Sequence, residues 1–370
     1  MKLSRRTVIA IAAATAFGSV SAQAADSVKI GYQLPLTGSH SQYGQGFKDA
    51  AEIALEKFNA SGKIDVPVEI IFEDSRSDAK EGVTLARKFV DDDEIVGVLG
   101  DFTSTVSMAA AQVYRKAGMV QLSQTASHPD FARISKWQFR NITTQNQEGA
   151  VNAEWLMSKG IKKVAVIAEQ SDWGQSVVKG FAEPFEAAGG EVVYTEFFNR
   201  GLADFRSIIT KIADQKPDAV YTGFFYEDGA QFLKQMKQLD VSIPIYSTSA
   251  AYNDKLIELA GDAAEGMFLT VTFLPNRQED HVQEFVAEWK KAHDLAPGQF
   301  PAQAYDAVNI MLDAVAKAYP DITRESLRKA IAETKDFPGV TGDTSFDENG
   351  EPEKSLAKAT VKDGAFVEMK

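Results

Sequence analysis

Small hydroxyl side chains gather at two places in this 370-residue chain. Thr103, Ser104 and Thr105 follow the apolar run Ile95 to Leu99 and Gly100; Ser123, Thr125 and Ser127 follow the run Met119 to Leu122. Short apolar runs of this kind suit buried strands of a parallel sheet. The run Val106 to Tyr114 has helical character, so the first cluster sits at a helix start. Successive strand ends lie along one edge of an open α/β sheet, where ligands bind. Hydroxyls and free helix N–H groups there favour an anion such as a carboxylate. The same residues also serve as ordinary caps and turns, and the spacing alone leaves both roles open.

Other chemistry is missing from the pattern. No G-x-S-x-G, P-loop, H-E-x-x-H or post-strand G-x-G-x-x-G occurs, and nothing nominates a catalytic triad. The chain is therefore expected not to be an enzyme and to need no cofactor or metal. Asp91 to Glu94 is a run of acids pointing in different directions, read as a solvated turn. Asp347-Glu348-Asn349-Gly350 is a turn as well, since a calcium loop needs a later acid. His281 and His293 lie on a polar helix and are read as solvent-facing; His40 and His128 sit in loops near the presumed cleft edge.

Strand and helix patterns alternate around these clusters. Strands are expected at Val28 to Leu34, Val66 to Phe72, Ile95 to Leu99 and Met119 to Leu122, with helices between them. The pattern then starts again, with strands at Val164 to Ala168, Glu191 to Phe197, Ala219 to Tyr221, Ile243 to Tyr246 and Met267 to Val271. This is a parallel doubly wound sheet occurring twice. Three helices without intervening strands follow, and Lys362-Asp363-Gly364 marks a terminal hairpin. The fold class is α/β, with two doubly wound parallel-sheet lobes.

The N-terminus indicates the compartment. Lys2, Arg5 and Arg6 precede an uncharged stretch, and Ala22-Gln23-Ala24 is an A-x-A site, the pattern of a secretory signal peptide over residues 1–24. The chain has no cysteine and a formal charge of −13; cleavage removes three positive charges and takes it to −16. So acidic a protein is a poor partner for nucleic acid or an anionic membrane. A free monomer in a periplasm-like space is expected.

At this point the sequence resembles the type I periplasmic solute-binding proteins, nearest to the leucine/isoleucine/valine-binding proteins of ATP-binding-cassette (ABC) transporters. The resemblance rests on I-G-Y-Q-L-P-L-T-G with Q-Y-G (30–38, 42–44), V-L-G-D-F-T-S-T (98–105), L-S-Q-T-A-S-H-P (122–129) and D-W-G-Q (172–175). It implies two lobes joined by a three-segment hinge, lobe 1 over 26–145 plus 273–350 and lobe 2 over 146–272 plus 351–370. It implies capture of a small carboxylate, amide or amino-acid-like solute between the lobes and delivery to permease subunits. A sensor of the same fold and an exported hydrolase are the alternatives. The residues it places on the ligand are Tyr43, Phe102, Ser104, Thr105, Thr125, Ala126, Ser127, Trp173, Phe225 and Ser249. Ser104 and the Thr125-Ala126-Ser127 triplet would hold a carboxylate, while Trp173 and Phe225 would close over the ligand.

One position departs from the family. Amino-acid binders carry a glutamate for the ligand ammonium where this chain has Ser249. An unpaired ammonium in a closed cleft is costly. Either Asp101, Glu169 or Glu227 supplies the charge, or the ligand has no α-ammonium. The serine leads to the second expectation, with weak binding of leucine, isoleucine and valine.

Overall fold

Apolar runs and N-caps set the elements of the structure, a computed structural model that describes residues 27–369. The signal peptide expected over residues 1–24 lies outside the described residues. β1 (Val28–Leu34) starts the first half, followed by α1 (Ser41–Ala60), β2 (Val68–Asp74), α2 (Ala79–Asp91), β3 (Ile95–Gly100), α3 (Ser104–Ala117), β4 (Gln121–Ser123) and β5 (Gln138–Arg140). The second half runs α4 (Gln145–Ser158), β6 (Lys163–Glu169), α5 (Asp172–Ala187), β7 (Glu191–Phe198), α6 (Arg206–Asp214), β8 (Ala219–Gly223), α7 (Tyr226–Gln238), β9 (Ile245–Ser247), α8 (Asp254–Ala260) and β10 (Phe268–Val271). Then come α9 (Asp280–Trp289), α10 (Gln299–Ala318), α11 (Arg324–Ala332) and the hairpin β11 (Ala357–Lys362) and β12 (Ala365–Met369).

The strands form two sheets. The first has the order β2-β1-β3-β4-β5 and is wholly parallel. The second has the order β7-β6-β8-β9-β10, also parallel, with β11 and β12 added antiparallel beyond β10. Both parallel portions thus share one order, in which the second strand lies outside the first and the third lies on its other side. The strand order switches sides between β1 and β3, and again between β6 and β8. Open sheets bind ligands outside the strand carboxyl ends at such a point.

Helices cover both sheets. α10 packs on α1 and meets β4, and α11 packs against β3, so these late helices belong to the first lobe. α4 packs on α5 and belongs to the second. The chain consequently passes between the two sheets and their helices three times, after β5, after β10 and after α11. Central strands are apolar on both faces, as β6 shows with Val164, Ala165, Val166 and Ile167 all buried. That is the signature of a sheet covered on both sides.

Several local expectations hold. Asp78 caps α2 by accepting from the Lys80 and Glu81 N–H groups. Asp363 and Gly364 take φ of 54° and 72° in the hairpin turn, the left-handed pair a two-residue hairpin needs. α4 starts at Gln145 and α7 at Tyr226, which puts Phe225 at an N-cap position. The two histidines expected on a polar helix differ from expectation, and His293 lies beyond α9, which ends at Trp289. His293 stacks on Trp289 with ring centroids 3.9 Å apart, and His281 approaches the Gly339 carbonyl, so both are half-buried rather than solvent-facing. No helix among the described residues is long and apolar enough to cross a membrane.

Candidate functional site

The carboxyl ends of both sheets face one another across a cavity of about 230 Å³. The first lobe supplies Phe102, Thr103, Ser104 and Thr105 beyond β3, Thr125 and Ser127 beyond β4, and Phe300 from α10. The second supplies Glu169 at the end of β6, Trp173 from α5, Arg200 beyond β7, Phe225 beyond β8 and Ser249 beyond β9. Gln145, the first residue of α4, lines it where the chain crosses between lobes.

The first wall is a set of donors held in place. Thr103 caps α3, its hydroxyl accepting from the Val106 N–H. The N–H groups of Ser104 and Thr105 have no partner among the described residues, as expected in the first turn of a helix. The Ser104 hydroxyl accepts from the His128 N–H at 3.1 Å, and Thr125 donates to the Phe102 carbonyl at 2.8 Å. The loop carrying Thr125 to Ser127 is braced from behind. Fully buried Arg140 donates to the carbonyls of Ala126 and His128 and pairs with Glu351.

Beneath this wall lies Asp101. Its Oδ1 accepts from the Phe102 and Thr103 N–H groups, and it does not reach the cavity. Burial pushes its carboxyl up to about 7, against the lowering effect of the hydrogen bonds from the Thr103 and Phe102 N–H groups.

The second wall is aromatic with one ion pair. Trp173 and Phe225 stack at 4.8 Å between centroids. Trp173 is placed by the start of α5, where Ser171 caps the helix and Gly174 lets it approach β6. A Cβ on Gly174 would lie 1.8 Å from the Glu169 carbonyl oxygen. Arg200 grips Glu169 with two bonds, Nε at 3.0 Å and Nη2 at 2.9 Å. Such a bidentate pair is the stronger form of the contact.

The walls also touch. Arg200 Nη1 reaches His40 Nδ1 at 3.2 Å across the lobes, Thr105 donates to Asp172 at 3.1 Å, and the Tyr226 hydroxyl donates to Gln42 at 2.8 Å. His40 is buried, not a solvated loop residue. Its ring packs edge-on against Phe102 and Phe225, at 4.9 and 5.1 Å. Burial, and then the Arg200 charge, hold its pKa down to about 3. The ring is neutral, leaving Nδ1 free to accept.

Of the ten residues singled out from sequence, eight line the cavity: Phe102, Ser104, Thr105, Thr125, Ser127, Trp173, Phe225 and Ser249. Tyr43 does not; it stacks behind Phe102 at 4.6 Å and supports that ring. Ala126 also stands back, because its N–H is taken by the Ser123 hydroxyl and its carbonyl by Arg140.

Sequence comparison settles the family. A profile of the periplasmic binding protein family matches residues 27–365. This chain belongs to that family. The leucine-, isoleucine-, valine-, threonine- and alanine-binding protein of Pseudomonas aeruginosa is 30% identical over 358 residues, covering 95% of this chain and 93% of that protein. A structure from Rhodospirillum rubrum, assigned to a branched-chain amino acid ABC transporter, is 46% identical with a TM-score of 0.72, covering 93% of this chain and all of that one. The isoleucine-bound substrate-binding protein LivJ of Streptococcus pneumoniae is 25% identical with a TM-score of 0.85, over 93% of this chain and 100% of that one.

For a periplasmic binding protein, the acids named as ammonium partners are poorly placed here. Asp101 lies under the floor, Glu169 is held by Arg200, and Glu227 does not line the cavity. The sequence reading missed Arg200, Gln145 and Glu148. Arg200 sits in a loop with no motif around it. Gln145 and Glu148 occupy the first turn of α4, where no motif marks them.

Proposed function

We propose that this chain is the extracytoplasmic solute-binding component of an ABC transporter. It takes a small carboxylate or amino-acid-like solute into the cavity and presents it to the permease. The observation that carries this reading is the division of labour around one cavity. Free N–H groups and hydroxyls of the first lobe suit a carboxylate, and the stacked aromatics of the second cover an apolar body. Two of the relatives described above support it: one is named for binding leucine, isoleucine, valine, threonine and alanine, and another holds isoleucine. The mature chain is taken as a periplasmic monomer that hinges at its three crossings, with lobe boundaries near residues 145, 272 and 350. The free N–H groups of Ser104 and Thr105 gain a partner only when a ligand binds, so a ligand shifts the population towards closure.

A thermal-shift screen of amino acids, aromatic acids and amides tests the reading. A solute at a hundredfold its Kd should add about 2.7 kcal/mol of stability. Small-angle scattering should then show a smaller radius of gyration with that solute. No stabilisation by any solute in the screen would overturn the proposal.

A further inference from the structure

The charges that line the cavity, Glu169 and Arg200, are bound to each other. One layer behind lies a third. Glu148, in the first turn of α4, is 1% exposed. Its Oε1 accepts from the Ser249 N–H and from the Thr270 hydroxyl, both at 2.6 Å, and its Oε2 accepts from Gln145 Nε2 at 3.0 Å. All three donors are neutral, and no lysine, arginine or histidine pairs with Glu148 among the described residues. A buried carboxylate without a cation is expensive. Two of the three residues that hold it, Gln145 and Ser249, line the cavity.

Gln145 is oriented by this contact. Its amide nitrogen donates to both Glu148 Oε2 and the Ser127 hydroxyl, at 3.0 and 3.1 Å. The reverse orientation would set carbonyl oxygen against carboxylate oxygen, with no donor between them. The amide oxygen is therefore the free end. Gln145 is 3% exposed, and its Oε1 has no partner among the described residues. Of the side chains lining the cavity, it is the one with a buried unpaired polar atom. Buried acceptors are normally satisfied.

We propose that Gln145 and Glu148 are the ammonium end of the site. Gln145 Oε1 takes a ligand N–H, and Glu148 behind it supplies the counter-charge that Ser249 cannot. Ser127, on the carboxylate wall, is one hydrogen bond from Gln145. The ligand's carboxylate and its N–H donor therefore lie close together, as they do on the shared Cα of a zwitterionic α-amino acid. This is the opposite of the expectation drawn from Ser249, and it rests on the solute-binding reading above.

Calorimetry with matched pairs tests it: L-alanine with propanoate, L-leucine with 4-methylpentanoate, and L-phenylalanine with 3-phenylpropanoate. In the pair that binds, wild type should prefer the amino acid by about ten- to hundredfold, the worth of a hydrogen bond to a charged group. Glu148→Gln should cut that preference by about tenfold, and Gln145→Met should do the same should Glu148→Gln fail to fold. A general structural role would weaken both members of a pair alike and leave their ratio unmoved, a result that overturns the proposal. So does a donor-free acid that binds wild type as tightly as its amino acid. A solute from the wider screen that binds tightly without an N–H group overturns this proposal and leaves the solute-binding reading standing. Absence of binding by every solute removes that reading and this proposal together.

Discussion

The two walls of the cavity solve positioning in different ways. The first is built on backbone. Its donors are a helix start and a loop between β4 and β5, held by Thr103, Thr125 and the buried Arg140. The second is built on side chains: Trp173 stacked on Phe225, and Arg200 clasping Glu169. Backbone donors are pinned by secondary structure and are hard to alter by substitution. Side-chain walls can change ring or charge while the sheet behind stays the same. The comparison suggests a constant end for the group every ligand shares and a variable end for what distinguishes ligands.

The largest expected effect lies under the backbone wall. Asp101 titrates near 7 when folded and near 3.8 when unfolded. A raised carboxyl pKa gives a contribution that is fully present below the unfolded value and lost as pH rises through the folded one. Asp101→Asn should therefore stabilise the protein at pH 8 by up to roughly 4 kcal/mol, and the gain should shrink towards pH 5. Denaturation midpoints across that range check it, and parallel curves for the two proteins would count against it.

Arg200→Met attacks the side-chain wall. It leaves Glu169, whose side chain is 4% exposed, without its cation. The guanidinium is partly exposed, so the full cost of breaking a buried pair should be discounted to about 2–3 kcal/mol. Urea unfolding measures it. A loss below 0.5 kcal/mol, the scatter of ordinary surface substitutions, would mean the clasp is not structural.

Ser104→Ala returns to the backbone wall. It should weaken carboxylate binding by about 1.5–3 kcal/mol, with about 1 kcal/mol lost in folding as the His128 N–H loses its acceptor. Calorimetry showing unaltered affinity would remove Ser104 from the site. Thr105→Val is the mildest. It deletes one bond between the lobes, to Asp172, and should cost closure about 0.5–1.5 kcal/mol, read as a proportionate loss in ligand affinity with unchanged denaturation of the free protein.

The same contrast explains what could be read in the chain. Strand ends followed by Thr103-Ser104-Thr105 and Thr125-Ala126-Ser127 betray the backbone wall, because apolar periodicity and cap residues are local signals. The strands themselves and the terminal hairpin were legible for the same reason. Trp173 was visible through its neighbouring Gly174. Arg200 was not, since a loop arginine acquires its role only from Glu169, thirty-one positions away. Glu148 was hidden differently. Its partners Ser249 and Thr270 lie more than a hundred positions on, and a glutamate early in a helix reads as an ordinary surface residue. Tyr43 and Ala126 show the reverse error, where adjacency in a motif stood in for exposure to the cavity.

The order in which the strands are strung along the chain has a consequence for how this protein comes into being. Every strand of the first sheet has been made by Arg140, but α10 and α11, which cover it, end only at Ala332. The second sheet has its parallel strands by Val271, yet β10 keeps an open edge until Ala357–Lys362 pairs with it. An unpaired edge invites association with other chains. Each half is therefore left open, on one face or along one edge, until elements from much later in the chain close it.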